Sequence, residues 1–534
     1  MATTSPPIVT IESGSLSGTF LSNNTTAFLG VPYAAPPVGD LRWRPPQPLL
    51  PWEGLRQAGN FSASCIQTAP PATSLYYDPD HQTTSEDCLY VNVWTSDGAK
   101  ARNRPVLVWF HWGAFTQGSG SNAMHHGAKL AAKGITVVTA NYRLGRFGEL
   151  ALKELSAESG HGASGNYGIM DQIAVLEWVK RNIKAFGGDP DNVTVGGASA
   201  GGASTSVLRI SPFAKGLFAK AICESGPGLA PVVDGPGSIA VYTTLSAAEK
   251  VGAELIGVLN VTSLEELRKL PADSIRTASL PSTVGDWVSY LRPNATGLNT
   301  YDTSYPIVDG YVIPESPLTA FQTGNITDVP LLAGNPLNDG TALPHLDTLA
   351  KYDAFLNEMF GDQATDAKRV YPATTDAEAY NSSWALLVDQ VFVYPTWTAA
   401  RLQAKTLESP SWYYRFDRAP PIPSNSSILE KDFAGAFHTA GALYAFGNLE
   451  SRPWDWTSGD WELSEDLMDS YVRFMTTGNP DVAAAQNGTD SWLPLKTGGD
   501  LIRSFDVGGG GVERQLASVN EMSAFWDGFY GIGM

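Results

Sequence analysis

Over the first third of the chain, short runs of consecutive apolar residues alternate with longer stretches in which apolar positions return every three or four residues. The first pattern belongs to strands buried on both faces, the second to helices laid against them. Arg104-Pro105-Val106-Leu107-Val108-Trp109-Phe110 predicts one such strand, with a glycine-containing loop from His111 to Gly120 behind it, and Ile135 to Ala140 predicts the next. Asp171 to Ala185 sets Ile173, Leu176, Val179 and Ile183 on one helical face. Val193-Thr194-Val195 predicts a further strand, followed at once by the small residues Gly196 to Gly202 and then by Ala203 to Ile210, which can continue as a helix.

Val329 to Ala333 and Trp412 to Phe416 predict later strands. Between these elements lie two expected helical insertions. One is near 231–305, with a helical patch at Ala247 to Leu259 and no strand signal until Pro306-Ile307-Val308; the other is near 345–406. Strands alternating with helices predict an α/β fold, taken here as one unit over 1–534. No repeat or low-complexity tract interrupts it.

Composition narrows what such a fold does. With 54 acidic against 35 basic residues the net charge is −19, and no Lys/Arg cluster offers the basic surface that nucleic acid needs, so a nucleic-acid partner is not expected. No apolar run approaches the ~20 residues of a membrane helix, so no integral span is expected either. The start, Met1 to Pro7, carries neither a basic segment nor an apolar core of a signal peptide. Asn-x-Ser/Thr nevertheless occurs at Asn23, Asn24, Asn60, Asn192, Asn260, Asn294, Asn325, Asn381, Asn425 and Asn487, which favours a secreted glycoprotein over a cytosolic one. Cys65 and Cys88 bracket a Pro/Ser/Thr/Tyr-rich segment while Cys223 stands in an apolar stretch, which fits one bridge and one buried thiol, with two free thiols as the alternative. A bridge would hold the segment as a surface flap and stabilise by roughly 3 kcal/mol. No Cys/His spacing suggests a metal site, and no cofactor is expected.

The chemistry centres on Gly197-Ala198-Ser199-Ala200-Gly201, the Gly-x-Ser-x-Gly match of the chain. A serine hydroxyl is a poor nucleophile until a base takes its proton, and a sharp strand-to-helix turn both exposes its oxygen and aims backbone amides at a carbonyl. The run Phe186-Gly187-Gly188-Asp189-Pro190-Asp191-Asn192-Val193-Thr194-Val195-Gly196-Gly197-Ala198-Ser199-Ala200-Gly201 resembles the active-site signature of type-B carboxylesterases, the family of cholinesterases and fungal lipases. Ser85-Glu86-Asp87-Cys88-Leu89-Tyr90-Val91-Asn92-Val93-Trp94 is similar to its second signature, and Phe28-Leu29-Gly30-Val31-Pro32-Tyr33-Ala34 to its N-terminal one. The likeness runs from near residue 8 to beyond residue 447.

That resemblance implies an α/β-hydrolase fold: a large, mostly parallel central sheet flanked by helices, with the triad in the order serine, acid, histidine. Only His345 and His438 follow Ser199, and Gly435-Ala436-Phe437-His438 is similar to the family's catalytic-histidine loop, which makes His438 the expected base. The acid falls on Asp339, in a loop similar to one where the family usually carries Glu, with Asp309 as the rival. The oxyanion hole falls on the amides of Gly113, Ala114 and Ala200, and Ser225 matches a position that supports the acid.

Three residues depart from the family's pattern. Trp112 stands where the oxyanion loop has glycine, as a pocket wall or as a core residue; Ala198 and Gly441 stand where acids are common. Losing two carboxylates is expected to weaken the attraction for cationic substrates and the support of an imidazolium. The reading is a serine carboxylic ester hydrolase acting on a small-molecule ester. The alternatives are acyl transfer by the same triad and, less favoured, a non-catalytic binding protein of the same fold.

Overall fold

The computed structural model describes residues 6–21, 24–78, 83–96, 102–226, 228–229, 232–233, 242–278, 305–341, 343, 345–481 and 491–534. Its centre is an eleven-stranded sheet. In chain order its strands are β1 (Thr19–Phe20), β2 (Thr25–Pro32), β3 (Tyr90–Ser96), β4 (Arg104–Phe110), β5 (Thr136–Ala140), β6 (Gly188–Ala198), β7 (Lys220–Glu224), β8 (Leu331–Pro336), β9 (Ser411–Phe416), β10 (Leu501–Phe505) and β11 (Val512–Arg514). Across the sheet the order is β11-β10-β9-β8-β7-β6-β4-β5-β3-β2-β1. From β5 to β10 the pairs are parallel, and the antiparallel pairs lie at the two edges.

The unbroken apolar runs have a direct cause. Successive side chains of a strand point to opposite faces, so β4 gives Val106, Val108 and Phe110 to one core and Leu107 and Trp109 to the other. Helix α1 (Tyr167–Asn182) covers the first face with Leu176 and Val179, and α2 (Ala200–Ile210) covers it with Val207 and Leu208. On the second face lie Leu467, Tyr471 and Phe474 of the Ser458–Thr477 helix. Both faces are covered, so neither can carry polar alternation.

The segment expected to be a helical insertion near 231–305 is only partly so. Helices Leu245–Leu259, Leu264–Lys269 and Ala272–Thr277 are present, but Val232–Val233 pairs in parallel with Tyr242–Thr244, and that strand in parallel with Ile307–Val308, in a small separate sheet. Strands of two or three residues are too short to show a periodicity. Residues 234–241 and 279–304 of that insertion lie outside the described residues, as do Asn23, Asn294 and Asn487. The second insertion is helical: Leu349–Phe360, Ala364–Val370, Asp376–Val388 and Tyr394–Thr406, with a wider turn at Asp389–Val393. Among the described residues no helix is long and apolar enough to cross a membrane.

Candidate active site

β6 ends at Ala198 and α2 begins at Ala200, so Ser199 alone makes the turn between them. Its φ of 57° and ψ of −120° lie outside the regions a side chain tolerates easily, a strain of about 1–3 kcal/mol that neighbouring contacts must hold. Ser199 N donates to Glu224 O of β7 at 2.9 Å, and Ala203 N donates to Ser199 O at 2.8 Å. The turn is so tight that its glycines have no room for a side chain. A Cβ on Gly197 would sit 2.3 Å from the carbonyl carbon of Gly201, and one on Gly201 would sit 1.9 Å from Phe110 O.

Asp339 follows β8 in a fully buried position. Its Oδ1 lies 2.6 Å from His438 Nδ1 and also accepts from Ser225 Oγ at 3.0 Å, while Oδ2 accepts from Asn335 Nδ2 at 2.6 Å. Tyr413 OH in turn donates to Asn335 Oδ1. The two loops are stapled together: Asn338 N donates to Ala436 O, and Ala436 N to Asn338 Oδ1. A carboxylate so placed keeps the proton on Nδ1 and leaves Nε2 as the acceptor. His438 Nε2 and Ser199 Oγ have no hydrogen-bond partner among the described residues, and both residues are buried. Phe392 packs on the imidazole, ring centres 4.1 Å apart.

The other candidates have other partners. Asp309 Oδ1 accepts from the amides of Tyr311 and Ile313, which builds a turn. His345 is exposed, its ring against Tyr380. Cys65 and Cys88 are joined in a disulfide, and Cys223 is the buried free thiol.

Behind β4, the amides of Gly113 and Ala114 donate to nothing among the described residues, and nor does that of Ala200. Trp112 lies in the core, as one of the two readings offered for it expects. It is buried with the core of the second face, yet its ring lies 5.3 Å from Tyr76, whose hydroxyl reaches the backbone oxygen of His438 at 3.4 Å. Tyr76 belongs to the segment closed by the disulfide, so that segment meets the loop behind β4 through this ring pair and the histidine loop through the Tyr76 hydroxyl. His111 holds the start of the loop by stacking on Tyr142 and by its Nδ1 contact to Trp112 O; burial lowers its pKa to about 4, which keeps it neutral and lets Nδ1 donate.

A family model described as "Carboxylesterase family" matches residues 5–505. The chain belongs to that family. Over 501 residues it is 35 % identical to the fumonisin B1 esterase of Sphingopyxis macrogoltabida, covering 92 % of this chain and 85 % of that one. Over 490 residues it is 34 % identical to the para-nitrobenzyl esterase of Bacillus subtilis (strain 168), covering 89 % and 91 %. A solved PNB esterase superposes with a TM-score of 0.79 at 32 % identity, covering 97 % of this chain and 99 % of that one. This carboxylesterase therefore has the α/β-hydrolase fold and is a carboxylic ester hydrolase.

The carboxylesterase site also contains groups that the sequence reading passed over. Tyr76 and Phe392 flank the histidine. Glu224, the residue before Ser225, brings a fully buried carboxylate to Gly441. A carboxylate from another strand thus lies at Gly441, where the side chain itself carries none. The available signal was a lone acidic residue closing the apolar run before Ser225.

Proposed function

We propose that Ser199, His438 and Asp339 carry the ester hydrolysis, with the amides of Gly113, Ala114 and Ala200 as the oxyanion hole. Ser199 Oγ attacks the ester carbonyl carbon while its proton passes to His438 Nε2, and the carbonyl oxygen becomes an oxyanion facing the three amides. Collapse breaks the bond to the alcohol oxygen, which leaves with the proton from His438 and gives an acyl-serine. Water, deprotonated by the same nitrogen, attacks that acyl group; the serine recovers its proton and the carboxylic acid departs. Asp339 holds the imidazole and stabilises the imidazolium in both halves. The observation that carries this reading is the 2.6 Å contact between Asp339 and His438, which supports Asp339 over Asp309 and leaves Nε2 free.

The substrate we propose is an uncharged or weakly charged small-molecule ester whose acyl or alcohol part lies against Trp112. The test is a p-nitrophenyl ester series from acetate to palmitate on the wild type, Ser199→Ala and Trp112→Gly. Ser199→Ala should lose at least about 10⁴-fold in kcat with its circular dichroism unchanged. Trp112→Gly should shift the preferred chain length. Activity that persists in Ser199→Ala sinks the mechanism, and an unchanged chain-length profile sinks the pocket role of Trp112. Repeating the assay with an added alcohol, and weighing the products, separates hydrolysis from acyl transfer.

We take residues 1–534 as one α/β-hydrolase domain, supported by a single sheet whose strands run from Thr19 to Arg514. We also propose passage through the secretory pathway, supported by the disulfide and by exposed sequons at Asn24, Asn60, Asn260, Asn381 and Asn425. A mobility shift on treatment with a peptide N-glycosidase is the expected result; an unshifted band from the native source opposes it.

A further inference from the structure

Glu224 touches two parts of the site at once. Its backbone oxygen accepts from Ser199 N, and its carboxylate accepts from Ala442 N at 3.0 Å on Oε1 and from Tyr414 OH at 2.8 Å on Oε2. Tyr471 OH, 2.8 Å from Tyr414 OH, adds a longer contact of 3.4 Å to Oε2. Ala442 lies in the first turn of the helix Ala440–Ala445, which starts two residues after His438. A Cβ on Gly441 would come within 2.8 Å of Oε2 and 3.1 Å of Oε1, so the carboxylate fills the space a side chain at 441 would occupy. Burying a carboxylate is costly unless donors surround it. An apolar side chain would fill that space at lower cost, and three donors converge there instead.

We propose that Glu224 is a positioning residue for His438: from the neighbouring strand its carboxylate clamps the turn that carries the histidine, and it supplies there the anionic group that Ala198 and Gly441 lack. The inference rests on His438 being the base. The clamp fixes the backbone on which the imidazole pivots, so the aim of Nε2 toward Ser199 depends on it. The ionised form also supports the imidazolium that forms in each half of the reaction. The titratable groups facing the carboxylate are Tyr414 on β9, Tyr471 on the Ser458–Thr477 helix and Asp339 beyond Ser225, with His438 three residues before Gly441. Burial holds both tyrosines neutral, and it raises Glu224 to about 7, the hydrogen bonds from Tyr414 and Ala442 opposing it and the charge of Asp339 adding to it. Glu224 therefore changes charge within the working range of a histidine base.

The test uses the full-length enzyme and p-nitrophenyl acetate. Glu224→Gln keeps the shape and removes the charge; kcat should fall roughly ten- to a hundredfold with KM little changed, because aim and not binding is lost. The acid limb of its kcat profile should move to lower pH, since the imidazolium has lost a neighbouring negative charge. Glu224→Gly combined with Gly441→Glu returns a carboxylate to the same space from the other side and should restore most of the lost kcat and the original limb. If Glu224→Gln does not fold, Tyr471→Phe removes one donor from the carboxylate and raises its pKa, so less of the negative charge is present at acid pH and the limb should move in the same direction, to lower pH, by a smaller amount. A folded Glu224→Gln with wild-type kcat and wild-type limb overturns the proposal, as does a Tyr471→Phe profile that does not move. Labelling by a fluorophosphonate separates the two readings. If the wild type is not labelled at Ser199, the triad assignment has failed; if it is labelled and Glu224→Gln behaves as wild type, only the role of Glu224 has.

Discussion

Ser199 and His438, the proposed nucleophile and base, are held by two different kinds of construction that meet at Glu224. The serine's side is a single run of chain, β6 into α2, and its geometry is enforced by backbone meeting backbone: Gly197 against Gly201, and Gly201 against Phe110. The histidine's side is gathered from distant stretches, with Asp339 after β8, Ser225 after β7, Asn335 on β8, Phe392 in the second insertion and Tyr76 on the flap, and it is held by side-chain hydrogen bonds and ring contacts. Steric enforcement is all or nothing, because overlap within a close-packed interior has nowhere to relax. A hydrogen-bond network loses one member at a time. The two halves of the proposed active site should therefore fail differently.

The largest effect is expected on the serine's side. Gly201→Ala forces a methyl group to within 1.9 Å of Phe110 O, and should cost more than about 3 kcal/mol and abolish activity. Soluble yield and the urea midpoint measure it, and a stable, active Gly201→Ala would break the comparison. Next comes the outer part of the histidine's side. Replacing Cys65 and Cys88 together by Ser releases the flap and should lower stability by roughly 3 kcal/mol. With Tyr76 loosened from Trp112, KM should rise several-fold while kcat falls less. A thermal scan with steady-state kinetics checks this, and an unchanged KM removes the flap from the site.

The smallest effect lies at the seam between the two sides. His125 is buried against Trp109 of β4 and against Phe446, which follows the histidine's helix, with ring centres 5.7 and 5.4 Å away. Burial, with the nearby His111, His126 and Arg452, lowers its pKa to about 3. The unfolded chain takes up this proton near pH 6.5 and the folded chain refuses it until about 3, so stability is complete above 6.5 and is lost as pH falls through that window. The slope is about 1.4 kcal/mol per pH unit for each such histidine. His111, lowered to about 4, behaves in the same sense. His125→Phe should remove one proton's share of the slope between pH 6 and 4 and leave neutral-pH kcat unchanged. Urea midpoints across that range measure it; an unaltered slope means His125 is not the group that titrates.

Legibility in the sequence followed the same division. The turn at Ser199 could be read because its requirements are local: a strand, small residues where the backbone closes on itself, then a helix. β4, β5, β8 and β9 could be read because both faces are buried and the apolar run is unbroken. His438, Asp339 and Ser225 came from likeness to family loops, since nothing in periodicity brings 225, 339 and 438 together. Glu224 was passed over because its meaning depends on Gly441, 217 positions away, having no side chain. The strands Val232–Val233 and Tyr242–Thr244 escaped because they are defined by pairing, the first with the second and the second with Ile307–Val308.

The end of β7 has a consequence for how this molecule can be altered. Glu224 and Ser225 bond, between them, the backbone of Ser199, the turn after His438 and the carboxylate of Asp339. Two adjacent residues thus act as a fixed reference mark from which three distant parts are measured. Loop grafting for new substrates should therefore leave 224–225 untouched and, within the 345–406 segment, keep Phe392 against the imidazole.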